Sequence, residues 1–166
     1  MMKKSMLALS LLFLSAYAAA HPTAQQLTEQ VRHKGAQAVI SGLYANDEKE
    51  WQYITGEIGK GGDDWLKVAT LLAPGSDADS AETLSEAVGM AIPHNPSGVL
   101  SIITERYTPL SIGEVCGLPF YSMTEPQLNQ YIVDSIRALY KVPSSKACID
   151  AMVNVIGTSN GFNEDN

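Results

Sequence analysis

Few residues of this chain have types and spacing that could do chemistry. Gly157-Thr158-Ser159-Asn160-Gly161 has the G-x-S-x-G spacing of a hydrolase nucleophile. Such a Ser must stand on a tight strand-to-helix turn, with its acid and His partners later in the chain. Here a helical stretch precedes it and no His follows, so Gly157 reads as a helix C-cap and the rest as a loose tail. Asp77-Ala78-Asp79-Ser80 opens like a calcium loop. Its fifth, sixth and twelfth positions would need an oxygen ligand, Gly and Glu, but Ala81, Glu82 and Val88 stand there. The two aspartates are better read as first-turn carboxylates that cap free amides and meet the positive end of a helix dipole.

Other chemistries lack their residues. There is no H-E-x-x-H, no phosphate-binding loop and no dinucleotide fingerprint. Gly59-Lys60-Gly61-Gly62 carries a Lys without P-loop spacing or a preceding strand. No cofactor, no metal and no catalytic residue is therefore expected. Asp63, Asp64, Asp77 and Glu82 are nominal members of a carboxylate pair, as in an envelope-acting hydrolase, although helix first turns already account for them. Trp51 and Trp65 are expected in the core.

The N-terminus sets the context. Lys3 and Lys4 precede an apolar run from Met6 to Leu14, broken by Ser10, and then small residues ending in Ala18-Ala19-Ala20. That order is the pattern of a cleavable secretory signal. The run is shorter than the about 20 residues a membrane-spanning helix needs, so no stable membrane insertion is expected after cleavage. Small residues at −3 and −1 allow cuts after Ala18 or Ala20, of which Ala20 is preferred. Residues 1–20 then form the signal, and the mature chain belongs in a bacterial periplasm or the medium. A cut after Ala20 would leave His21 with a free amine beside its imidazole, a bidentate copper-binding pair that needs further ligands. His33 and His94 are available, but nothing in the sequence brings them near, and an exposed His without metal is the expectation.

Loss of Lys3 and Lys4 leaves nine basic residues against 18 acidic ones, a net charge of −9 with His neutral. Such a surface repels nucleic acid and anionic lipid and favours basic partners. Cys116 and Cys148 can pair in one way only, and an exported chain makes a disulfide the natural reading. Closing a loop of that length contributes about 3–4 kcal/mol on chain-entropy grounds.

The elements that must position these residues read as helices. Leu27, Val31, Val39, Ile40 and Leu43 form one stripe after Thr23. Trp51, Ile54 and Ile58 form the next, then Trp65, Val68, Ala69 and Leu72 behind Asp63-Asp64. Asp77 and Asp79 open a helix with Leu84, Val88 and Ala91-Ile92 inward, and Asn95-Pro96 starts another through Ile103. Thr124-Glu125-Pro126-Gln127 is a capping box before Leu128, Ile132, Ile136 and Leu139. Cys148, Met152, Val155 and Ile156 mark the last helix. No stretch alternates with period two. The expected fold is all-α: one compact, irregular bundle of six to seven helices over residues 21–157, with a polar tail at 158–166. Similar contexts 34 positions apart, at Trp65-Leu66 and Val99-Leu100, hint at stacked helix pairs.

Residues 107–123 break the pattern with Pro109, Gly113, Gly117 and Pro119, and read as a partly ordered connector. With no catalytic motif, the expected function is a non-enzymatic, exported protein-binding domain. An inhibitor or immunity protein that neutralises an envelope-acting toxin has this size and charge, and a structural envelope protein is a further alternative. Its partner would be another exported, basic protein. Tyr107, Leu118, Phe120 and Tyr121 on the connector are the candidate contact residues, either as anchors or as core plugs.

Overall fold

A computed structural model of the chain describes residues 21–45, 47–117, 120 and 123–158. Among these residues nine α-helices run in order: α1 Ala24–Lys34, α2 Ala36–Leu43, α3 Lys49–Gly59, α4 Asp63–Leu72, α5 Ala78–Met90, α6 Pro96–Ile102, α7 Ile112–Cys116, α8 Glu125–Leu139 and α9 Lys146–Thr158. Two 3-10 turns, Ala73–Gly75 and Thr108–Leu110, extend α4 and precede α7. No strand occurs among the described residues. The all-α expectation holds, with two more helices than its upper figure.

Both extra helices have a local cause. The stripe from Leu27 to Leu43 is one amphipathic pattern but two helices, because Gly35 stands between them at φ +83°. A side chain resists that left-handed region and glycine does not. The second extra helix is α7, inside the connector, capped by Ser111 accepting from the Glu114 amide.

Most N-terminal caps follow the sequence, but Gly62, not Asp63 or Asp64, is the N-cap of α4, and Gly157 lies inside α9, which runs on to Thr158, so it is not a C-cap. Thr23 and Gln26 close a capping box on α1, Asp77 and Ser80 one on α5, and Thr124 and Gln127 one on α8. Asn95 accepts from the Gly98 amide at the start of α6. It also donates to the Gly61 carbonyl and to Asp63 Oδ1, at 2.8 and 2.7 Å, which fastens the α3–α4 turn to α6.

Helices α4 and α5 lie at the centre. Helix α4 packs on α1, α2, α3, α5 and α6, while α5 packs on α3, α7 and the second 3-10 turn. Leu27, Ile54, Ile58, Val68, Leu72, Leu84, Val88, Ile92, Val99 and Leu110 fill the core. Each such side chain contributes about 1.5–3 kcal/mol by leaving water. Helix α9 closes the far end against α7 and α8. There Cys116 and Cys148 form the expected disulfide, Cα atoms 5.3 Å apart and both side chains fully buried.

Some helix faces differ from the stripes read in sequence. In α4 it is Leu66 that is buried, while Trp65 is half exposed. In α8 the most buried residues are Tyr131, Ser135 and Leu139, with Leu128, Ile132 and Ile136 flanking them. In α9 Met152 is fully buried, whereas Val155 is exposed and Ile156 only partly buried.

Candidate functional site

The sequence offered carboxylates, two tryptophans and the connector. Asp77 is engaged as the N-cap of α5: the Ser80 hydroxyl and then the Ser80 amide hydrogen-bond its carboxylate and hold it below the usual carboxylate range. Asp63 accepts from Asn95. Asp63 and Asp77 line different hollows. Among the described residues no three His, Cys, Asp or Glu side chains converge as a metal site, and no helix is long and apolar enough to cross a membrane.

Trp51 is a core residue, 2 % exposed, and its indole donates to Thr83 Oγ1 at 2.8 Å. Tyr44 lies tilted against it, ring centroids 5.2 Å apart, and donates to Asp79 at 2.7 Å. Burial first, and then the Asp79 acceptor, push the Tyr44 phenol well above its ordinary range.

The connector residues fare unequally. Phe120 is buried, with its ring edge-on to Tyr131 at 4.5 Å. It plugs the core and is not an exposed anchor. Tyr131 reaches past it to donate to the Gly89 carbonyl at 2.8 Å, and burial drives its phenol far upward. Tyr107 is half exposed, with the Arg106 guanidinium 5.3 Å from its ring centre. Leu118 and Tyr121 lie outside the described residues.

What the sequence did not point to is a groove between α3 and α5, with a volume of about 460 Å³. Gly56, Gly59, Ala87 and Met90 give it a mainly apolar lining, with Thr55 and Thr83 beside them. The helices approach closely at Gly59, where a Cβ would stand at contact distance, 3.4 Å, from Met90 Cβ. A Cβ at Gly56 would meet nothing within 4 Å, so this position faces open space. A second hollow, about 370 Å³, runs between Met90, His94 and α8, past Met123, Gln127 and Tyr131. The two hollows share Met90 and His94 and so meet at the end of α5.

The chain matches no protein-family model, and no curated protein or solved structure matches it.

Helix α5 carries Asp79, Glu82 and Glu86 at helical spacing and no Lys or Arg; of the three, Glu86 lines the groove, while Asp79 accepts from Tyr44. Across the groove, Lys60 is paired with Glu57 one turn back, so its charge is largely balanced at short range. Two sequence signals could have found this place: a pair of glycines three apart inside α3, and acids at i, i+3 and i+7 on α5.

Proposed function

We propose that this protein is an exported, non-enzymatic binding domain whose α3–α5 groove receives a basic, amphipathic segment of another exported protein. The observation that carries the reading is the apolar floor of the groove beside a helix, α5, that bears acids and no Lys or Arg. A helix laid in a groove is recognised by this combination, apolar anchors at i, i+3 or i+4 below and charges on the rim. The net charge of −7 for the whole chain, and −9 without residues 1–20, has the sign that speeds encounter with a basic partner. Met90 and Met123, on unbranched polarisable side chains, suit a surface that adapts to a partner's shape. Neutralisation of an envelope-acting toxin is the biological role this reading fits best. In the fold, the contact surface proposed here replaces the connector, since Phe120 is committed to the core.

Capture from periplasmic extract by the chain and by its Gly56→Leu variant tests the proposal. At this position a Cβ meets nothing within 4 Å, so leucine would project its side chain into the groove. The expected outcome is a basic protein retained by the unmodified chain in low salt, released by raised salt, and bound at least about tenfold more weakly by Gly56→Leu. The variant should keep its helical circular dichroism. Equal capture by both chains, or capture of acidic proteins only, overturns the reading.

A further inference from the structure

Away from the groove, His21 stands in a constellation that the binding function does not use. Its ring stacks on Tyr53, with centroids 4.0 Å apart and planes 13° from parallel. Tyr53 meets the edge of Trp65 at 6.3 Å. The stack turns Nδ1 of His21 towards Glu50, 3.1 and 3.2 Å from its two carboxylate oxygens. By helical spacing Tyr53 lies roughly a third of a turn, and Glu50 nearly half a turn, from the side of α3 that lines the groove.

Removal of residues 1–20 would make His21 the N-terminal residue. Its α-amine and Nδ1 can then close a six-membered chelate ring on one metal ion, which Nε2 cannot do. Pro22 follows. Its peptide nitrogen carries no hydrogen for a metal to displace, so chelation along the backbone stops at the amine and imidazole and leaves a position for an outside donor. Glu50, already in contact with Nδ1, offers a carboxylate for it. Two donors bound at about 2.0 Å and at right angles are about 2.8 Å apart, so the 3.1 Å between Nδ1 and Oε1 closes with a small adjustment.

We propose that the His21 amine, His21 Nδ1 and the Glu50 carboxylate form a binding site for one divalent copper ion. Two nitrogens and one oxygen, with a fourth position left to water, suit the tetragonal geometry of copper(II). Among divalent first-row ions copper also has the highest intrinsic affinity for such donors. The His21 side chain is half exposed and the Glu50 side chain about a third exposed, so the ion can reach both. Tyr53 fixes the plane of the imidazole. No electron transfer is involved: the ion displaces protons from the amine and imidazole and exchanges part of its hydration shell for the three donors. The inference rests on cleavage after Ala20 and not on the groove reading.

The test is a copper(II) titration of chain beginning at His21, in competition with a chelator of known strength, with paramagnetic resonance of the bound ion. Three comparators accompany it: the same chain acetylated at the His21 amine, the Glu50→Gln variant, and the free peptide His-Pro-Thr-Ala. One ion should bind per chain. Acetylation of the amine should weaken binding about a hundredfold by removing one arm of the chelate. Glu50→Gln should weaken it about tenfold and alter the resonance spectrum, bringing both close to those of the peptide. If Glu50→Gln and the peptide match the unmodified chain, the copper is held by an ordinary N-terminal chelate and the proposal fails. N-terminal sequencing of the exported protein that starts at any residue other than His21 also overturns it.

Discussion

Asp77 shows how much one residue can do locally. Its carboxylate accepts from the Ser80 amide while Ser80 answers the Asp77 amide, so two otherwise unpaired donors at the start of α5 are satisfied. Because these bonds favour the charged form, the carboxyl titrates lower in the folded chain than in the unfolded one. The charge-dependent part of this stabilisation is therefore complete above the ordinary carboxylate pKa of about 4. It is lost as the pH falls through the lower folded value. Asp77→Ala should lower the melting temperature by a few degrees at pH 7, on the order of a lost N-cap, and by less at pH 2. Thermal unfolding followed at both pH values checks this; an undiminished difference at pH 2 would show that the charge is irrelevant. Asp77 was legible in the sequence because its partner is three residues away. The Trp51–Thr83 and His21–Glu50 contacts were not, because each joins residues about thirty positions apart that only packing brings together.

At the scale of the element, the glycines of α3 and the turn after it should respond in opposite directions. Gly56 lies inside a helix with no neighbour near its Cα hydrogens, so Gly56→Ala should stabilise the fold by about 0.5–1 kcal/mol through helix propensity alone. Gly61 stands at φ +77°, and a Cβ there would meet Asn95 Cβ at 3.1 Å and His94 Cβ at 3.2 Å. Gly61→Ala should therefore destabilise by about 1–3 kcal/mol, through backbone strain and disturbance of the Asn95 fastening. Denaturant unfolding of the two variants reads the difference, and a destabilising Gly56→Ala would mean that α3 needs that glycine for packing. Periodicity located these helices well and oriented them less well. In α8 an apolar count chooses Leu128, Ile132 and Ile136, yet Tyr131 goes deepest, because its hydroxyl finds the Gly89 carbonyl and its ring finds Phe120. A tyrosine is buried only where an acceptor waits, and the acceptor lies on another helix.

The whole molecule depends on its far end being held. Helix α9 meets the rest mainly through α7 and α8, and α7 is only five residues long. The Cys116–Cys148 bridge joins those two helices directly. The double variant Cys116→Ala, Cys148→Ala should lose about 3–4 kcal/mol of stability, measured by denaturant unfolding, with α9 the first segment to exchange its amide hydrogens. The folded native protein should resist alkylation and should weigh two protons less than its reduced form. Two thiols that react freely in the folded chain would contradict the bridge.

The sequence by itself determined the helical class, most of the N-terminal caps, the breaks between most helices and the pairing of the two cysteines. Those follow from interactions within a few residues, or from there being a single pair to make. It did not determine the split at Gly35, whose φ is a matter of where α2 must turn to pack, or the burial of Phe120, which takes the connector into the core. The groove and the His21–Glu50 contact belong wholly to the tertiary structure. A groove exists only where two helices cross, and their closeness at Gly59 and Met90 depends on side chains thirty-one positions apart. Residue types therefore specified the elements, and the packing of those elements created the surfaces on which function is proposed.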